Sequence, residues 1–132
     1  MDKSKRDKLV SSLSDQREPQ YAAIRDFFDG NDDQGSIGCN LDPHPGMKVF
    51  ASTLSGLLKR KDVKAVYAQI SELEPGSDSW PFCDKVLVVG SISVADLAAI
   101  LIPLQPDEFG VAGKTPYISQ KHGGPVLFAW WD

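Results

Sequence analysis

The sequence predicts an α+β fold, a ferredoxin-like βαββαβ sandwich in which a four-stranded antiparallel sheet carries two helices on one face. Three observations lead there. Two amphipathic helical patterns lie in the chain, each set between segments rich in β-branched and aromatic residues. The element order matches the sandwich, and no internal repeat competes with it. A chain of 132 residues is the usual size of one domain and buries roughly two-thirds of its unfolded surface.

Residues 1–25 alternate in charge and offer Leu9, Val10 and Leu13 as a sparse apolar stripe. They are expected to form an extra N-terminal helical or flexible segment outside the core, with residues 26–132 as the single α+β domain. Ile24, Phe27 and Phe28 follow at helical spacing, and Gly30 ends that turn. Residues 36–41 read as the first strand. Pro45 and Gly46 then open a helix with Met47, Phe50, Ala51, Leu54, Leu57 and Leu58 on one face. Lys59, Arg60 and Lys61 close it, where cations oppose the negative end of the helix dipole.

Residues 63–70 alternate as a second strand, and the run from Glu74 to Asp78 is a turn. Residues 85–90 are apolar on both faces, the mark of a central third strand. Ser93 caps the second helix, whose stripe is Val94, Leu97, Ala98 and Leu101, and Pro103 and Pro106 limit it. A turn-rich stretch leads to a last strand at 125–131. In the sandwich the spatial order would be 4-1-3-2, setting Cys39 and Cys83 on neighbouring antiparallel strands. Because the third and fourth strands are apolar on both sides, the face away from the two helices should also be covered. Ile24, Phe27 and Phe28 are the nearest cover within the chain, and a homodimer is the alternative.

Composition narrows the function classes. Hydrophobic residues are 42% and charged ones 24% of the chain, ordinary globular values. No apolar run approaches the ~20 residues a bilayer span needs, so no membrane role is expected. Two cysteines and no export signal point to a cytoplasmic protein with reduced thiols. A net charge of −4 argues against nucleic acid, which requires clustered cations. Half of the acids fall in two base-free stretches, residues 26–42 and 72–84.

The candidate binding residues are Asp29, Asn31, Asp32 and Asp33 of the acidic loop, with Trp80, Phe82 and Trp131 as aromatic anchors. Acidic surface beside aromatics suits a charge-steered protein interface; the alternative is that Trp80 and Phe82 pin a long loop onto the core while the acids keep the protein soluble. A calcium reading of the loop fails, since Gln34 stands where an EF-hand turns on glycine and Asn40 where its glutamate binds. A solvated turn partly neutralised by Lys59, Arg60 and Lys61 accounts for it. Cys39, Cys83, His44 and His122 could meet at one end of the sheet as a metal or thiol-enzyme site. They lack the paired spacing of structural zinc ligands, so no metal, cofactor or catalytic residue is assigned.

The strings FFDGNDDQGSIGCNL (27–41), DSWPFCDKVLVV (78–89), PLQPDEFG (103–110) and AWWD (129–132) together resemble a family of small uncharacterised bacterial proteins. The resemblance implies no activity and no site residue. In size and charge the chain is similar to immunity proteins of bacterial toxin systems. The expected function is therefore a non-enzymatic protein-binding domain, and the alternatives are a small-ligand sensor module or an enzyme using the Cys/His end.

Overall fold

The computed structural model describes all 132 residues, Pro116 by its backbone alone. Five strands form one antiparallel sheet: β1 (Tyr21–Ala23), β2 (Val63–Glu72), β3 (Phe82–Gly90), β4 (Glu108–Val111) and β5 (Val126–Trp130), in the spatial order β1-β2-β3-β5-β4. Helices α1 (Lys3–Ser14), α2 (Ile24–Phe28), α3 (Met47–Gly56) and α4 (Val94–Ile100) pack on one face, and α5 (Pro116–His122) lies on the other.

The α+β class is the one expected, but the four-stranded order 4-1-3-2 is not formed. Residues 36–41 make no strand. A 3-10 turn at Gln34–Ser36 precedes them, and their one sheet contact is a parallel bridge from Ile37 to Cys83. Cys39 is exposed beyond that bridge, so the two cysteines do not sit on neighbouring antiparallel strands. The place beside β2 is taken by β1, whose Tyr21 faces Gln69 and whose Ala23 faces Tyr67.

The large core lies under the four helices. Val66, Ala68 and Ile70 of β2, Val86 and Val88 of β3, and Leu127 and Ala129 of β5 meet Phe27, Phe50, Leu54 and Leu97 there. α3 and α4 form where the periodicity places them, and the Ser93 side chain accepts the Asp96 N–H, satisfying a donor that the first turn leaves free. Gly90 turns β3 out of the sheet at φ 148°, where a Cβ would collide with the backbone at Asp62. No other residue fits so close an approach.

The N-terminal segment belongs to this core and does not lie outside it. Leu9 and Leu13 of α1, Ala22 of β1 and Ile24 of α2 are all buried in it. Arg6 is buried as well, its guanidinium donating to the carbonyls of Ser79 (3.1 Å) and Gly76 (3.0 Å) and so binding α1 to the β2–β3 connection.

Leu87, Val89, Val126 and Tyr21 form a second, smaller cluster on the opposite face. That face is covered, yet not by the segment expected. Ile24 and Phe27 turn into the main core, and the cover is Ile118 of α5. Among the described residues no helix is long and apolar enough to cross a membrane.

Candidate functional site

The acidic loop is tied into the fold. Asp33 Oδ1 accepts the N–H of Gly35 at 2.9 Å, and its Oδ2 accepts the N–H of Trp80 at 3.1 Å. Asn31 is buried. Its amide donates to Phe27 O and Ser36 Oγ, and its Oδ1 accepts the Asp33 N–H. Such side-chain-to-backbone bonds are what Asn and Asp supply in turns.

The outer acids are neutralised locally. Lys5 Nζ lies 2.7 Å from Asp29, and the Met1 amine lies 2.8 Å from Asp32 and holds its carboxyl below the usual range. Arg60, expected to serve this loop, instead grips Asp62 with two nitrogens at 2.9 Å and reaches Asp96 at 3.0 Å.

The aromatic anchors turn inward. Trp80 is fully buried and Trp131 nearly so; Phe82 is half-buried. Trp131 donates its indole N–H to Leu104 O at 2.7 Å and packs edge-on against Phe50. The Trp80 loop also lies beside the acidic loop and not at the opposite end of the sheet.

The Cys/His set does not converge. His44 spends both ring nitrogens within the chain, Nε2 on Ile37 O and Nδ1 on the Gly46 N–H, each at 2.9 Å. Cys83 is buried with its Sγ donating to Lys85 O, and burial pushes its thiol well above the ordinary range. His122 lies across the sheet, beside Tyr67. Among the described residues no group of three or more His, Cys, Asp or Glu could hold a metal ion.

The structure assembles a different site, on the second face of the sheet. Tyr21 of β1 and Tyr67 of β2 make its floor, their rings edge-to-face with centroids 6.5 Å apart. Tyr117, Ile118 and Lys121 of α5 form one wall, and Asp15, Gln16 and Arg17, just past α1, form the other. Together they enclose an open cleft of about 540 Å³, within the range of small-molecule sites.

Gln16 fixes its wall by donating to Tyr21 O at 3.0 Å and accepting the Tyr21 N–H at 2.9 Å. Tyr67 Oη and His122 Nε2 lie 2.7 Å apart and fasten the end of α5 to the sheet. Burial raises the Tyr21 phenol above its ordinary value and keeps it neutral. Neither Arg17 nor Lys121 has an ion-pair partner among the described residues.

Residues 4–125 match the family described as the uncharacterized protein YfbO family. The chain belongs to the YfbO family. A curated relative, the uncharacterized protein YfbO of Escherichia coli (strain K12), is 25% identical over 115 residues, which are 83% of this chain and 81% of the relative. No solved structure matches.

The YfbO span takes in the whole cleft, from Asp15 to His122, together with strands β1 to β4, and stops before β5. Sequence reasoning missed this site because it read the stretch containing Gly110, Gly113, Pro116, Gly123 and Gly124 as turns. The available signal was Tyr117, Ile118 and Lys121 at helical spacing behind Pro116, a residue suited to a first helical turn.

Proposed function

We propose that this YfbO-family chain is a cytoplasmic, non-enzymatic binding module, and that its cleft holds a small organic anion with a flat apolar body. One observation carries the reading. β4 and β5 are antiparallel neighbours, which a turn of two to five residues can join, yet residues 112–125 leave the sheet edge and cross its second face.

That excursion buries Ile118 and leaves a cleft beside it. Long connections of this kind are more often functional than architectural. The floor supplies two tyrosine rings, and at the rim Arg17 and Lys121, neither with an ion-pair partner among the described residues, outnumber the single acid Asp15 on a chain whose net charge is −4. An aromatic carboxylate satisfies both. The two free thiols, Cys39 and Cys83, suit a reducing compartment.

The test is titration of the intact protein with 2-naphthoate, followed by amide chemical shifts. Saturable shifts should centre on Tyr21, Tyr67 and Lys121. Arg17→Ala should weaken binding by about tenfold, the loss of about 1.4 kcal/mol from one charge-assisted contact, and added salt should weaken it further. Shifts that never saturate, or that map to another surface, would overturn the reading.

A further inference from the structure

On the reading of the cleft as an aromatic-anion site, we infer that its ligand is a dianion, whose second anionic group lodges in an adjoining cavity over the same face of the sheet. That cavity has a volume of about 310 Å³ and shares Tyr21 with the cleft as a common wall. The connection that gives the cleft Tyr117 and Lys121 gives this cavity Lys114 and Thr115, so one excursion between β4 and β5 builds both.

Strand register explains why the two open side by side. Tyr21 of β1, Gln69 of β2 and Lys85 of β3 are Cα partners in one row across the sheet. α5 seats Ile118 against Leu87, Val89 and Val126 and leaves Gln69 and Lys85 half-exposed at the end of that cluster. Tyr21 and Lys85 stand two strands apart, roughly 10 Å at the usual strand spacing, which matches a two-ring aromatic body with its substituents.

The lining of the second cavity is chosen for negative charge. Lys85 and Lys114 are its charged groups, no acid lines it, and neither lysine has an ion-pair partner among the described residues. The Lys85 ammonium lies 5.7 Å over the Phe128 ring, which holds it above the sheet. Glu108 meets Lys85 only across a separate depression lined by Phe128 and Trp130, without forming an ion pair. A cavity walled by charge of one sign focuses its field and attracts the opposite sign. Gln69 adds an amide donor to the same lining. A flat body lying against Tyr21 therefore has Arg17 and Lys121 at one end and Lys85 and Lys114 at the other.

Calorimetric titration of the full chain with naphthalene-2,6-dicarboxylate, set beside 2-naphthoate, tests this. The diacid should bind one molecule per chain, about tenfold more tightly than the monoacid, and it alone should shift the amides of Lys85 and Lys114. Lys85→Met and Lys114→Met should each lower the ratio of the two affinities several-fold. Should Lys85→Met fail to fold, Lys114→Met decides, because that side chain is exposed. A diacid that binds no more tightly than 2-naphthoate, or a ratio unchanged in either folded variant, overturns the dianion and leaves the reading of the cleft standing. Failure of both compounds to bind overturns the two together.

Discussion

Replacing Asp33 by alanine separates a structural acidic loop from a solvated one. The carboxylate is half-buried and accepts two backbone N–H groups, from Gly35 at 2.9 Å and from Trp80 at 3.1 Å. A hydrogen bond to a charged group is worth about 1.5–3 kcal/mol. Water reaches this site in part, so the low end applies, and Asp33→Ala should cost about 2–3 kcal/mol. In a chain of this length that lowers the melting temperature by roughly 8–12 °C. Asp33→Asn keeps one acceptor oxygen and should lose about half as much. Asp29→Ala removes only an exposed partner of Lys5 and should leave the unfolding midpoint in place. Urea unfolding followed by tryptophan fluorescence reads all three, because Trp80 and Trp131 are buried. If Asp33→Ala unfolds at the wild-type urea concentration, or no earlier than Asp29→Ala, the loop is not held by these bonds and the argument fails.

Two further outcomes follow from burial. A thiol reagent should label Cys39 quickly in the native protein and reach Cys83 only in denaturant, since burial raises the Cys83 thiol and hides it; equal rates at both would contradict the packing. The Tyr21 phenol is raised above its ordinary value of 10.0 by burial, so its contribution to stability is fully present below that pH and is lost as pH rises through the folded value. The urea midpoint should therefore fall above about pH 10, and Tyr21→Phe should flatten that fall. An unchanged slope in the variant would refute the assignment.

What the sequence made legible were the elements with strong local signals. α3, α4 with its Ser93 cap, α2 with its glycine stop, and the strands β2, β3 and β5 all form within a few residues of their patterns. The failures share a cause. β1 is Tyr-Ala-Ala and β4 is Glu-Phe-Gly-Val, short segments of weak or interrupted strand propensity that become strands because a long neighbour offers a register. Residues 36–41 carry Ile37 and Leu41 in alternation, but Gly38 lies at φ 62° and the path bends after one bridge. The candidate site was misread for the same reason. Trp80 and Trp131 have the composition of interface anchors, and only tertiary packing shows that they fill the core. The cleft residues are separated by up to about a hundred positions in the chain and meet only through the sheet.

The second face of the sheet explains where so slight a helix is placed. β3 sends Leu87 and Val89 to that face as purely aliphatic groups, and these, with Val126, are the side chains that share a cluster with Ile118. Burying one isoleucine over them is worth about 1.5–3 kcal/mol. Flanking positions tolerate water better. Tyr21 and Tyr67 present phenols on one side, while on the other Lys85 lies 5.7 Å from the Phe128 ring and shields it. The chain therefore spends α5 on the strip that requires cover and leaves the amphipathic strips open. Among the described residues α5 buries Ile118 alone, and with the Tyr67–His122 hydrogen bond as its other tie it should open at a small fraction of the global unfolding free energy. The proposed ligand would enter and leave past such a wall, which would tie the unusual length of the β4–β5 connection to its slight attachment.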